Sequence, residues 1–407
     1  MKEIVCNGCS LLCDDVSAEV EGETVNSLGL CRLGHAHLTE TLKTKGLSAV
    51  TRDSDIEKTI SLDEAIKQAG ELLQTSGNPL LFGWTTASNE SIKAGLTLAE
   101  TLGGVFASTV SQGALQALSH EIHSGKLEID LEYVRNNGEL IIYWGADPTE
   151  SLHRHPSRFA VLPRGDNIPE GIESRTIGVV DVRETETMKM ANHRMKISIG
   201  GDKELLEALA GEVAGKSTIT GPVQGIPAQE LLGLVRRFHM ADCTVIFYGR
   251  GILHSGMANE NLTAMAGLLE AIRGSGKKAY ALPLFPESNA MGVLKIAGDK
   301  LDKGSILQNI VDGTYDVALV VGDDALAMLP GQAAKALAKT NLIYIGNLGT
   351  LTDKKAKLSI YPSDVILGVS NTMTRVDNQE ISFSGWAGEV SDGMSDILTK
   401  LNGFVKK

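Results

Sequence analysis

The sequence predicts an α/β protein in which a small cysteine-rich N-terminal domain precedes two related doubly wound parallel-sheet domains. Three observations lead there. Four of the five cysteines fall within the first 31 residues. Glycine is abundant at 44 while aromatic residues make up only 4% of the 407-residue chain, a composition usual for proteins rich in strand-to-helix turns. Continuous apolar runs ending in glycine alternate with helical patterns twice over, as expected for strands buried on both faces. The expected boundaries are 1–60 for the cysteine domain, 61–200 and 201–362 for the two α/β domains, and 363–407 for a C-terminal segment returning to the core.

The N-terminal array is Cys6, Cys9, Cys13 and Cys31, a C-x2-C-x3-C-x17-C spacing. Each thiolate can hold one corner of a 4Fe–4S cube, three of them from one tight loop and the fourth from further along. Structural zinc is the alternative, but its sites favour paired C-x2-C knuckles. A disulfide framework does not suit a chain of this length without a signal-like start. Cys243, in the apolar run that continues to Phe247, reads as a buried strand residue. After the first three cysteines, Val16-Ala18-Val20 and Glu23-Val25 alternate as a hairpin would. Ser61-Leu62-Asp63-Glu64 has the form of a capping box, and Leu62, Ala65, Ile66, Ala69, Leu72 and Leu73 then share one face, so a helix starts near residue 62.

From residue 79 the two sets of strands follow. The first comprises Leu80 to Trp84, a helix over about 89–102, Leu140 to Gly145, and Ile177 to Asp181. The second comprises Val245 to Gly249, a helix over about 259–273, Val317 to Gly322, and Leu342 to Gly346. In open parallel sheets ligands bind beyond the carboxyl ends of the strands, where glycine turns allow close approach and helix N-termini face phosphate. The candidate cofactor-binding residues therefore lie in the strand-end loops: Gly83 and Trp84, Gly145 and Asp147, Asp181 and Arg183, Gly249 and Gly251, and Gly322 and Asp323.

Charge and hydropathy narrow the partners. A net charge of -12 argues against nucleic acid and anionic membranes. No apolar run approaches the roughly 20 residues of a membrane span. Together with the cysteine usage, this predicts a soluble protein in a reducing compartment, the cytoplasm.

The residues also carry a family resemblance. The segments from Cys6 to Asp15, Cys31 to His35, Leu81 to Trp84, Tyr143 to Pro148, His155 to Arg158, Val180 to Arg183 and Phe247 to Ser255 resemble the molybdopterin oxidoreductase family. Within it they are most similar to the B subunits of formylmethanofuran dehydrogenases. The resemblance spans most of residues 1 to 260 and thins afterwards. It implies a 4Fe–4S domain followed by two domains that clamp molybdopterin guanine dinucleotide around molybdenum or tungsten. It implies that Cys6, Cys9, Cys13 and Cys31 hold the cluster, that Asp181 accepts from a guanine edge, and that Gly83, Gly145, Gly249, Gly251 and Gly322 admit pyrophosphate. Arg158 would offer a bidentate fork to phosphate or carboxylate. The implied reaction interconverts carbon dioxide and formate or formylmethanofuran, a step of one-carbon metabolism and methanogenesis, in a hetero-oligomer with other subunits.

The chain departs from that family at the reacting centre. Where the family carries Val-Cys-His-Gly, this chain reads Val110-Ser111-Gln112-Gly113. Serine is a harder ligand of higher pKa than cysteine, and glutamine relays no proton. Phe285 and Glu287 stand where the family supplies an arginine and a histidine. The candidate catalytic residues are accordingly Ser111, Gln112, Arg158 and His155, the last lying with His153 in the loop after the Trp144 strand. His35 and His37 follow the fourth cysteine and could hydrogen-bond cluster sulfurs, with simple packing or exposure as the alternative. A non-redox scaffold or cofactor-poor member of a formyltransferase/hydrolase-type complex is the alternative function.

Overall fold

A computed structural model describes residues 1–22, 24–44, 46–53, 56–110, 129–301, 305–363, 371–383, 385 and 392–406. The chain divides into two compact units. Unit 1 comprises 1–110, 287–375 and 380–407, and unit 2 comprises 111–286 and 376–379.

Unit 1 begins with a small antiparallel sheet of Lys2–Ile4, Val16–Glu21 and Thr24–Leu28, followed by the helix Arg32–Leu42. The hairpin lies where the alternating pattern puts it. Among the described residues its main sheet has seven strands, in the order Ile56–Ile60, Ala49–Asp53, Leu358–Ile360, Asn341–Ile345, Val317–Val321, Pro79–Gly83, Val105–Ser108. The strands from Leu358–Ile360 to Val105–Ser108 are parallel, and the Ala49–Asp53 hairpin adds to one edge antiparallel. Helix Leu62–Gln74 starts where expected, with the Ser61 hydroxyl accepting from the Glu64 amide at 3.3 Å. The C-terminal helix Met394–Val405 packs on it closely enough that a Cβ at Gly70 would stand 2.2 Å from the Phe404 ring.

Unit 2 carries, among the described residues, a five-stranded all-parallel sheet. Its order is His193–Lys196, Thr176–Asp181, Leu140–Trp144, Cys243–Tyr248, Lys278–Pro283. Cys243 lies in its strand at 3% exposure, and burial pushes its thiol up to about 12. Helices Asp202–Val213, Ala228–Met240 and Ala258–Gly274 accompany the sheet.

The expected sequential division of the α/β part is therefore corrected. The strands at Leu140 and Thr176 pair into one sheet with Cys243–Tyr248, across the expected boundary at 200. Pro79–Gly83 pairs with Val317–Val321 instead. The cysteine domain also ends before residue 60, because Ala49–Asp53 and Ile56–Ile60 belong to the main sheet of unit 1. An apolar run identifies a buried strand, but its partner is set by long crossovers that leave no local trace.

In each unit the strand order reverses at one point. It lies between Leu140–Trp144 and Cys243–Tyr248 in unit 2, and between Pro79–Gly83 and Val317–Val321 in unit 1. Crevices at such switch points are where open α/β sheets bind ligands. Among the described residues, no helix is long and apolar enough to cross a membrane.

Candidate functional site

The cysteines are gathered by backbone turns. The Leu12 amide donates to Cys9 O at 3.2 Å and the Cys6 amide to Cys13 O at 2.8 Å, closing a loop around three of the four thiols. The reversal holds Leu12 at φ 41°, a left-handed conformation uncommon for leucine. Its fully buried side chain packs against Met373 and Phe383, and that burial offsets the backbone cost. Cys31 caps helix Arg32–Leu42, its sulfur accepting from the Gly34 amide at 3.4 Å, while the Gly8 amide donates to Cys6 Sγ at 3.5 Å. A Cβ at Gly34 would stand 2.9 Å from Cys6 Sγ and 3.8 Å from Cys31 Sγ, so two sulfurs distant in sequence flank one bare stretch of backbone.

Burial pushes the Cys9 thiol far above its ordinary range, the Leu11 amide pulls it back, and the nearby Cys13, Cys6 and Cys31 push it further up. The five cysteines form no disulfide. Among the described residues, no group of three or more His, Cys, Asp or Glu is arranged to hold a metal ion. The four thiols lie near one another, two of them beside the bare backbone of Gly34, and thiolates are the donors a cubane cluster takes one per iron. The two histidines that follow make contacts of their own. His35 Nε2 faces Val25 O at 3.2 Å, and His37 Nε2 faces Asn7 Oδ1 at 2.8 Å, tying the helix to the Cys6–Cys9 loop.

The switch point of unit 2 opens into a cleft of about 330 Å3, lined by the strand-end residues Gly145, Asp147, Asp181, Arg183, Gly249 and Gly251, with Arg250 among them. The glycines are needed first by the protein itself. The Gly249 amide donates to Trp144 O and the Gly251 amide to Gly145 O, both at 3.0 Å. A Cβ on Gly251 would stand 2.7 Å from Gly145 Cα, and one on Gly145 would stand 2.8 Å from Gly251 Cα. Gly251→Ala is thus expected to cost about 1–3 kcal/mol, the usual range for overpacking. The urea midpoint should fall at an unchanged slope, and an unchanged midpoint would show that the two loops part freely.

Two carboxylates sit deep in this cleft and two guanidinium groups line it. Asp147 accepts from the Thr187 hydroxyl at 2.5 Å and its amide at 3.3 Å, and Arg183 Nη2 stands 3.7 Å away. Asp181 accepts from the Arg183 amide at 3.1 Å. Burial raises the Asp181 carboxyl, Arg183 lowers it, and the Asp147 charge raises it again. The carboxylate side chains are 7% and 10% exposed against 67% for Arg183. Buried acceptors and an outward cation suit a ligand with amino or ring N–H donors at one end and phosphate at the other.

The switch point of unit 1 is built differently. Trp84 is fully buried at φ 81°, stacked on Phe106 at 4.7 Å, and fills the space left by Gly95, where a Cβ would stand 2.2 Å from its ring. It is core, not a ligand wall. Asp323, 1% exposed, accepts from the amides of Thr85 and Thr86 at 3.1 Å each and from the hydroxyls of Thr85, Thr86 and Thr109. Burial raises its pKa and these donors lower it. Gly322 (φ 79°) and Gly83 (φ 116°) bring the two loops together, since a Cβ would meet Thr86 Oγ1 at 2.6 Å from the first and Val321 O at 2.5 Å from the second. Sequence reasoning missed Thr85, Thr86 and Thr109 as the donors. The Thr85-Thr86 pair, one residue removed from the strand-end Gly83, was the available signal for two of them.

The remaining candidates scatter. His155 is fully buried, with Nδ1 3.1 Å from the Tyr143 hydroxyl and its ring edge-on to Phe247 at 4.4 Å, and burial lowers its pKa to about 3. It is neutral at physiological pH and lies in the core of unit 2. Arg158 stacks on Phe159 at 4.5 Å, and neither it nor His153 is among the residues lining the cleft. Phe285 is buried at 2% exposure in unit 2, whereas Glu287 belongs to unit 1. Ser111 and Gln112 lie outside the described residues.

Comparison with known proteins follows the same lines. No protein-family model matches the chain. The B subunit of tungsten-containing formylmethanofuran dehydrogenase 2 from Methanocaldococcus jannaschii is 27% identical over 403 residues, covering 94% of this chain and 92% of the relative. Its namesake from Methanococcus maripaludis is 25% identical over 401 residues, covering 93% and 92%. Among solved structures, acetylene hydratase from Pelobacter acetylenicus aligns with a TM-score of 0.69 at 14% identity, over all of this chain and 70% of that one. A chain of the formyltransferase/hydrolase complex (FhcABCD) from Methylorubrum extorquens, crystallised with methylofuran, aligns with a TM-score of 0.65 at 17% identity, over 88% of this chain and 99% of that one. These two likenesses show a shared mixed α/β fold with parallel sheets. The resemblance read from the sequence is borne out: over nearly its whole length the chain is a relative of formylmethanofuran dehydrogenase B subunits.

Proposed function

We propose that the chain is the B subunit of a formylmethanofuran dehydrogenase-type complex, an oxidoreductase interconverting carbon dioxide and formyl groups. The observation that carries this reading is the end-to-end likeness to two subunits of that name. Both names specify tungsten, which favours tungsten over molybdenum on the pterin. When bound, the pterin metal supplies the two-electron chemistry and a 4Fe–4S cluster supplies single-electron exchange.

The chain's own residues divide the remaining work. Cys6, Cys9, Cys13 and Cys31 hold the cluster, and the Gly8 and Gly34 amides donate to two of their sulfurs, which tunes its potential. In unit 2 the buried Asp147 and Asp181 orient a base by accepting its N–H groups, while Arg183 and Arg250 neutralise phosphate. Ser111 is the residue offered to the metal and Gln112 the one offered to substrate. Other subunits of the complex complete the activity, as the relatives' names and the FhcABCD assembly indicate for those proteins.

A second reading, a non-redox member of a formyltransferase/hydrolase-type complex, is favoured by one observation. Ser111 and Gln112 replace the soft ligand and the proton relay. Elemental analysis of anaerobically purified complex separates the two. About four irons per chain with tungsten or molybdenum is expected for the first reading, and neither metal would establish the second. Ser111→Ala then tests the metal ligand: unchanged oxidoreductase activity would remove Ser111 from that role.

A further inference from the structure

The switch-point crevice of unit 1 already contains an anion. Five donors converge on the Asp323 carboxylate: the Thr85 and Thr86 amides at 3.1 Å, the Thr85 hydroxyl at 2.9 Å from both oxygens, the Thr86 hydroxyl at 3.2 Å, and the Thr109 hydroxyl. Amides and hydroxyls in the turn after a parallel strand are the groups that cradle phosphate in open sheets. Here they come from the loops after Pro79–Gly83 and Val105–Ser108, and the carboxylate reaches them from the loop after Val317–Val321, across the point where strand order reverses.

Unit 2 solves the same place in the opposite way. Where unit 1 has Asp323 after its strand-end glycine, unit 2 has Ala146; Asp147 matches Asp324 instead, each accepting from a threonine amide and hydroxyl (Thr187 and Thr352), and Arg183 and Arg250 line the open cleft. One crevice therefore presents cations to a ligand. The other has its donors spent on a buried carboxylate that would repel a second anion.

We propose that Asp323 is a built-in substitute for a phosphate group, so that unit 1 admits no dinucleotide pyrophosphate at its switch point and the chain carries a single dinucleotide, in unit 2. The nucleotide count rests on the proposed function, whereas the donor nest does not. Guanosine monophosphate released by acid from the purified complex should amount to one per chain, and two per chain overturns the proposal.

Inorganic pyrophosphate is the second probe. In Asp323→Ala the donors are free to take it, and millimolar pyrophosphate should raise the melting temperature by roughly 2–4 °C with no such rise in the unaltered chain. Equal responses in the two proteins overturn the nest. If Asp323→Ala does not fold unaided, its refolding yield in pyrophosphate against chloride of equal ionic strength gives the same answer: a gain supports the nest and no gain overturns it. Complex lacking guanine nucleotide, tungsten and molybdenum sinks the pterin reading alone, and the pyrophosphate arm still decides the role of Asp323.

Discussion

Asp323→Ala is expected to destabilise the protein by about 3–5 kcal/mol, more than its neighbour by a wide margin. The carboxylate is 1% exposed and serves two amides and three hydroxyls, so its removal leaves several buried donors without an acceptor. Asp324 looks equivalent in sequence and is not. Its carboxylate accepts from the Leu351 and Thr352 amides, both at 2.9 Å, and from the Thr352 hydroxyl at 2.8 Å, at the start of the partly buried helix Leu351–Lys355. Asp324→Ala then loses a cap-like acceptor that supplements the Thr350 cap, worth about 1–2 kcal/mol. Urea unfolding of the two variants against the unaltered chain measures the contrast. Similar small losses at both positions would show that water satisfies the three threonines, and the crevice would then have to be open.

This pair shows where the sequence was legible and where it was not. The strands were readable because Leu140 to Trp144 and Val317 to Val321 are apolar at every position, as burial on both faces requires. Helix starts at Leu62 and Asn89 were readable because a serine cap precedes each. The assignment of strands to sheets was not, since the chain leaves unit 1 after Val110 and re-enters it only at Glu287. The cysteine array suggested its chemistry through spacing, yet nothing in that spacing foretold that His37 would bind Asn7.

The strand-end glycines illustrate a more general limit. Gly145, Gly249 and Gly251 were read as room for a ligand, and they do line the cleft. Their missing side chains are required regardless, because the two loops touch backbone to backbone. Glycine at a strand end reports close approach, and only the fold tells whether a ligand or another loop makes it. Polar residues are more deceptive still. Asp323 and Ala146 occupy matching places after matching strands, and the carboxylate present at one and missing at the other decides whether the donors across the switch point are taken.

His155 should make the protein acid-sensitive in a definite window. Its pKa falls from the usual 6.5 to about 3 because the ring is buried, and among the described residues nothing hydrogen-bonds Nε2. Above pH 6.5 the imidazole is neutral in both folded and unfolded chains, so it adds no pH dependence. As pH falls from there towards 3, the unfolded chain binds a proton that the folded core refuses, and stability is lost at up to about 1.4 kcal/mol per pH unit. Replacing His155 alone would strand the Tyr143 hydroxyl, its partner at 3.1 Å. The double variant His155→Phe with Tyr143→Phe removes both polar groups and keeps the aromatic contact with Phe247. Carboxylates elsewhere titrate equally in the two proteins and cancel in the difference. Between pH 6.5 and 5 the double variant should gain about 1.5–2 kcal/mol on the unaltered chain in urea unfolding. A difference constant across that range would mean that the folded protein accepts the proton, and His155 would then be open to solvent and available for the proton transfer its burial otherwise forbids.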